Sequence, residues 1–261
     1  MDYAKKSLGQ NYLIDLNITK KIVNLTDIYN KNVLEIGPGK GALTKEIIKH
    51  KPKSLILIEK DNILSEKLKL EYENQKNIII YNKDVLEFNF EDKLKNTIIF
   101  GNLPYNISSQ ILAKITKFKK NPPKYSALIL MFQKEMAQRI IGEFNTSKYG
   151  RLSILANYRL KILKRFDVSP NCFFPKPKIT STVLYLKPNT KKIERIKNLE
   201  NLEKITNILF SNKRKMINKS IKKIFNIEQL EVIKKNLDLK CRPSELKPER
   251  YYDLTRFFES F

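Results

Sequence analysis

Val33-Leu34-Glu35-Ile36-Gly37-Pro38-Gly39-Lys40-Gly41 reads as a β-strand running into a glycine-rich turn, with a helix-period stretch over Gly41–His50 beyond it. A turn of this kind lets backbone approach a ligand closely and aims helix N–H groups at it. It is not G-x-G-x-x-G, because the third glycine comes too early, and it lacks the Gly-Lys-Ser/Thr ending of a P-loop. Pro38 removes a donor that a pyrophosphate would use. A ligand without a phosphate at this point fits better; a tight structural turn is the plain alternative.

Outward from this unit the pattern repeats. Strands are predicted over Asn32–Ile36, Ser54–Glu59, Asn77–Tyr81, Thr97–Asn102, Tyr125–Phe132, Tyr158–Phe166 and Thr180–Lys187, with helices over Gly41–His50, Asp61–Glu73 and Ser108–Lys117. The alternation predicts an α/β fold with a mostly parallel, doubly wound sheet, and the crowding of strands after Tyr125 predicts an antiparallel edge. After the polar stretch Lys187-Pro188-Asn189-Thr190-Lys191-Lys192 the strand signal ends. Ile205, Ile208 and Leu209 carry helical spacing, and Pro243 and Pro248 punctuate the end. Two domains are expected, residues 1–188 and an all-α residues 189–261.

The 261 residues carry 51 Lys+Arg against 27 Asp+Glu, a net charge of +24. Such a surplus suits a polyanionic partner. Only nine of the basic residues are Arg and the chain is rich in Ile and Asn, so A/T-biased coding accounts for a share of it. A single histidine, His50, leaves Ser-His-Asp and Cys-His catalysis hanging on one position, and its place at a helix end suggests a structural role. Cys172 and Cys241 form no zinc-spaced cluster, so no metal is expected. No apolar run approaches a membrane span and Met1–Lys6 has no signal-peptide core, so a soluble, cytoplasmic protein is expected.

The loops after successive strands carry the chemistry, because such sheets bind ligands at the carboxyl ends of their strands. Glu59, 22 residues beyond Gly37, is placed to accept from both hydroxyls of a ribose, or else caps a helix. Asp84 in Lys83-Asp84-Val85-Leu86 is placed to accept from an adenine amine with Val85 and Leu86 against the ring; a turn aspartate is the alternative. The sharpest signal is Asn102-Leu103-Pro104-Tyr105. Pro104 holds Leu103 extended and stiffens the turn, so the Asn102 carboxamide and a neighbouring carbonyl can accept from one amino group. Tyr105 offers a face for stacking a base, worth about 1–3 kcal/mol.

Together these pieces resemble the class I S-adenosylmethionine-dependent methyltransferases, with a Rossmann-like sheet, and Asn102–Tyr105 resembles the branch that methylates adenine amines. Lys6-Ser7-Leu8-Gly9-Gln10-Asn11-Tyr12-Leu13 and Cys172-Phe173-Phe174-Pro175-Lys176-Pro177-Lys178-Ile179-Thr180-Ser181 resemble the rRNA adenine N6,N6-dimethyltransferase family. Leu209-Phe210-Ser211-Asn212-Lys213-Arg214-Lys215 and Arg242-Pro243-Ser244-Glu245-Leu246 resemble its small-subunit (16S) rRNA branch. Lys213 stands where arginine is expected, which keeps the charge and loses the planar fork. Tyr12 replaces a more usual phenylalanine, from which little is expected.

The resemblance implies a pocket for the methyl donor S-adenosyl-L-methionine lined by Asn11, Leu13, Gly37, Gly39, Glu59, Asp84, Val85 and Asn102. Asn102 with the Leu103–Pro104 backbone would grip the target amine, and Tyr105 and Phe173 would sandwich the target base. It implies dimethylation of two adjacent adenosines in the 3′-terminal hairpin loop of small-subunit rRNA, within a pre-30S particle, by a monomer without membrane association. No general base of conventional pKa is required for this chemistry, in keeping with one histidine. Lys213, Arg214, Lys215, Lys219, Lys222 and Lys223 form a basic stretch that suits RNA phosphates, or else a solvated helix face. Three alternatives remain: a large-subunit rRNA methylase of the macrolide-resistance type, a DNA adenine methylase, disfavoured by Leu103 where that branch carries proline, and an assembly factor acting mainly by binding.

Overall fold

The computed structural model describes residues 9–117, 123–189 and 196–261. Lys6, Ser7 and Leu8 of the opening motif, and 190–192 of the polar stretch, lie outside the described residues. Strand β1 (Tyr12–Leu13) leads to helix α1 (Leu16–Val23), capped by Asp15, whose carboxylate accepts from the amides of Asn17 and Ile18 at 2.8 and 3.0 Å. There follow β2 (Asn32–Ile36), α2 (Ala42–Lys49), β3 (Ser54–Glu59), α3 (Asn62–Glu71), β4 (Ile78–Asn82), α4 (Phe90–Lys93), β5 (Thr97–Asn102), α5 (Ser108–Thr116) and β6 (Tyr125–Gln133). The rest comprises α6 (Lys134–Ile141), α7 (Arg151–Arg159), β7 (Leu160–Val168), β8 (Phe173–Phe174), β9 (Ser181–Pro188), α8 (Leu199–Phe210), α9 (Asn218–Ile221), α10 (Ile227–Lys234) and α11 (Pro248–Phe258).

The seven longer strands form one sheet in the order β4-β3-β2-β5-β6-β9-β7. β4, β3, β2, β5 and β6 run parallel, and β9 pairs antiparallel with β6, with Met131 opposite Val183. The expected doubly wound sheet with an antiparallel edge is therefore present. Strand β2 has β3 on one side and β5 on the other, so the winding reverses there and a crevice opens at its carboxyl end. Val33, Leu55, Leu57 and Phe100 are wholly buried in the core beneath. Truncating one such leucine costs about 2–5 kcal/mol.

A second, two-stranded sheet was not foreseen. β1 pairs antiparallel with β8, Tyr12 opposite Phe174 and Leu13 opposite Phe173. These strands are too short for a period-2 pattern to register.

The chain divides into two compact units: residues up to Ala137 with Lys161–Pro188, and Gln138–Leu160 with Asn189–Phe261. The expected boundary after residue 188 coincides with one crossing, but 138–160 belong to the second unit. Tyr158, expected in a strand, lies in α7 instead. The reason is side-chain docking within that unit. The Tyr149 hydroxyl donates to the Leu246 carbonyl at 2.8 Å, the Tyr252 hydroxyl donates to the Ile154 carbonyl at 3.1 Å, and Tyr158 accepts from the Ile196 amide at 2.9 Å. Leu202, Ile205 and Leu209 of α8 share their wholly buried core with Ile154.

Candidate active site

The carboxyl ends of β2, β3 and β5, the turn after β4 and the segment 9–13 enclose one cleft in the first unit. Asn11, Leu13, Gly37, Gly39, Glu59, Asp84, Val85, Asn102, Leu103, Pro104 and Tyr105 all line it. Residues drawn from five separated segments are thus brought together.

The glycine turn is held by φ angles of +64° at Gly37 and +59° at Gly39, where side chains are strained. A Cβ on Gly39 would stand 3.0 Å from Tyr12 Cδ1, so the aromatic ring closes directly over the turn. Glu59 is 7% exposed and accepts from the Gly39 amide through Oε2 at 3.0 Å and from the Asp61 amide through Oε1 at 2.9 Å. Burial raises its pKa against the pull of these amides. Each oxygen retains a lone pair for a further donor.

Asp84 closes an Asx-type turn, accepting from the Leu86 amide at 2.8 Å, and pairs with the Lys60 ammonium at 2.7 Å. Burial pushes its carboxyl up, but Lys60 and the Leu86 amide outweigh that and hold it below its ordinary value. The turn-aspartate reading is therefore satisfied, in a residue that also lines the cleft.

Asn102, the last residue of β5, donates from Nδ2 to the Asn11 carbonyl at 2.8 Å. That bond fixes the carboxamide and leaves Oδ1 as an acceptor. The Pro104 carbonyl accepts from the Ile107 amide at 3.2 Å, so the turn is closed behind it. The Tyr105 hydroxyl lies 2.6 Å from Ser181 Oγ, which anchors the ring; burial raises its pKa.

Phe173 is placed differently. It is 3% exposed, opposite Leu13 in the apolar core, and does not line this cleft. Its neighbour Phe174 is 60% exposed. His50 ends α2, with Nε2 3.8 Å from Glu46, away from the cleft. Among the described residues no cluster of His, Cys, Asp and Glu suits a metal, and no helix is long and apolar enough to cross a membrane.

The sequence reading missed Glu35. It is 1% exposed within β2, lines the cleft, and accepts from Thr44 Oγ1 at 2.6 Å. Burial, reinforced by the charge of Glu59, pushes its pKa to about 8. The available signal was a carboxyl inside an otherwise apolar parallel strand. Tyr12 also does more than expected: its hydroxyl donates to Gln10 Oε1 at 2.7 Å, and Gln10 Nε2 donates to Asp61, the cap of α3, at 3.0 Å.

In the second unit, Lys213, Arg214, Lys215, Lys219, Lys222 and Lys223 are all exposed. Lys213 differs from the others. Its ammonium donates to the carbonyls of Ser147 and Tyr149 at 2.8 and 2.9 Å and so holds the loop before α7.

The model of the Ribosomal RNA adenine dimethylase family matches residues 1–260. Ribosomal RNA small subunit methyltransferase A of Pelagibacter ubique is 46% identical over 260 residues, 98% of this chain and 97% of its own length. The protein of that name from Malacoplasma penetrans is 43% identical, over 95% of this chain and 90% of its own. A crystal structure of a dimethyladenosine transferase from Plasmodium falciparum superposes with a TM-score of 0.77 at 26% identity, covering 95% of this chain and 97% of that one. That of the 23S rRNA methyltransferase ErmE gives 0.71 at 20% identity, over 95% and 99%, and shares the fold. The chain belongs to the ribosomal RNA adenine dimethylase family.

Proposed function

We propose that this enzyme dimethylates the exocyclic amines of two adjacent adenosines in the 3′-terminal hairpin loop of small-subunit rRNA, with S-adenosyl-L-methionine as donor. Its relatives bear the name of a small-subunit rRNA methyltransferase. The observation that carries the chemistry is the Asn102–Asn11 bond, which turns a carboxamide oxygen into a fixed acceptor beside the glycine turn.

The cleft suits the donor. Backbone at Gly37 and Gly39 takes conformations that open the turn, and the buried Glu59 carboxylate keeps lone pairs for ribose hydroxyls. Asp84 and Val85 suit the adenine end, and Asn11, Tyr12 and Leu13 cover the cleft. Bound S-adenosylmethionine supplies an electrophilic methyl group. The chain's part is to hold the target amine. Asn102 Oδ1 and the Leu103 carbonyl accept its two hydrogens, which favours a pyramidal nitrogen with a localised lone pair. Tyr105 stacks on the base and fixes its plane, so positioning supplies most of the rate gain. The base must leave any stack to enter, which selects unpaired or flipped nucleotides. After the first transfer the methylated nitrogen releases a proton to water and one hydrogen remains, so one acceptor suffices for the second.

Arg214, Lys215, Lys219, Lys222 and Lys223 suit the rRNA backbone. We assign the enzyme to the cytoplasm, acting as a monomer on a pre-30S particle, with its first unit catalytic and its second binding RNA.

The test is mass spectrometry of nucleosides from ribosomal particles of a strain lacking the modification, incubated with this protein and S-adenosylmethionine. Dimethyladenosine in small-subunit RNA alone is expected. Its appearance only in large-subunit RNA, or in neither, would overturn the assignment.

A further inference from the structure

We infer that Phe174 is a second stacking ring, which holds the nucleobase adjoining the target adenosine. The inference rests on the proposed function and extends it from the modified base to its neighbour. Directly opposed residues of an antiparallel pair project to the same face. Phe174 opposes Tyr12, whose ring closes over Gly39, so Phe174 projects to the cleft side of the two-stranded sheet. Leu13 and Phe173 fill the opposite face and are 5% and 3% exposed. Phe174 is left 60% exposed; Ile14, two residues beyond Tyr12, is 57% exposed, and its amide continues the pairing by donating to the Cys172 carbonyl at 2.9 Å.

The surroundings select a nucleotide. Phe174 precedes Pro175-Lys176-Pro177-Lys178, in which both lysines are exposed and both prolines restrict the backbone. A rigidly presented aromatic face flanked by cations is the arrangement that stacks a base while pairing its phosphates. The location selects which nucleotide. Asn102 bonds the Asn11 carbonyl, and Tyr12 is the next residue. Phe174 lies one residue step of about 3.8 Å and one cross-strand step of about 5 Å from there. That is the distance of a neighbouring nucleotide, while Tyr105 remains the ring for the target base.

The chain contains no tryptophan, so a Phe174→Trp variant carries a single indole reporter. Its fluorescence is expected to be quenched by the loop RNA containing both adenosines. With unmethylated small-subunit particles, Phe174→Ala is expected to lose about fivefold to a hundredfold in kcat/KM, and Phe174→Trp to retain wild-type efficiency. S-adenosylmethionine affinity and melting temperature should stay as in the wild type, which separates lost stacking from misfolding. An alanine variant within twofold of wild type overturns the inference, as does a loss of efficiency without indole quenching. A wild-type enzyme that leaves the particles unmethylated overturns the proposed function as well.

Discussion

Asn102 Nδ2 donates to the main-chain carbonyl of Asn11 at 2.8 Å, joining residues 91 positions apart. The acceptor is backbone, so the bond depends on the carboxamide alone. Asn102→Ala should lower kcat about a hundredfold to a thousandfold, the usual cost of removing one preorganised polar group from a reacting centre. Asn102→Asp keeps an oxygen but sets a carboxylate against the Asn11 carbonyl, and should be comparably impaired. Single-turnover methyl transfer to small-subunit particles measures both.

Gly39→Ala should be costly twice over. The residue sits at φ +59°, and the new methyl would stand 3.0 Å from the Tyr12 ring. The backbone strain alone is about 1–2 kcal/mol. Calorimetry should show weaker S-adenosylmethionine binding, and Tyr12→Leu in the same chain should recover only the part due to the clash.

The buried Glu35 carboxyl gives stability a pH dependence of known sign. Its pKa rises from 4.5 to about 8 on folding, so between those values the native state holds a proton that the unfolded chain has released. The associated stability is complete below pH 4.5. It declines as pH rises, by about 1.4 kcal/mol per unit for one proton, and levels off above the folded value. Glu35→Gln mimics the protonated form and still accepts from Thr44. Denaturant titrations should show wild type losing stability relative to this variant across that window; parallel curves would refute the assignment.

The basic residues of the second unit should separate into two kinds. Lys213→Ala removes the ammonium that bridges the Ser147 and Tyr149 carbonyls, and should lower the melting temperature with little change in the salt dependence of RNA binding. Arg214→Ala, Lys215→Ala and Lys219→Ala should leave melting unchanged and reduce the logarithmic salt slope by roughly 0.7–0.9 for each phosphate no longer neutralised.

β2, β3 and β5 were legible because parallel strands buried on both faces read as apolar runs, edge strand β4 because its Ile78-Ile79-Ile80 run is apolar though partly exposed, and the strand ends and loops named most of the cleft. Glu59 and Asn102 line it as the last residues of β3 and β5, where the strands hand over to their loops. The pairing of Tyr12 with Phe174 was not legible, since two residues carry no period, and with it went the burial of Phe173. Glu35 gave no such signal because it stands one residue before the end of β2, inside the strand's apolar run. Helix α7 was missed in part because its buried face, Ile154, Ala156 and Tyr158, alternates like a strand and takes its partners from residues far along the chain.

The assignment of 138–160 to the second unit has a consequence for how the protein is made. On the ribosome, α7 emerges well before α8 and α11, whose side chains it needs, and Tyr149, Ile154 and Tyr158 stay uncovered until the last helix has been synthesised. The C-terminal helices are therefore not a detachable appendix. A nascent chain halted at Pro188 would carry an orphaned greasy segment in its middle and be a natural client for chaperones, and a working graft of the second unit onto a relative must transplant both pieces of sequence at once.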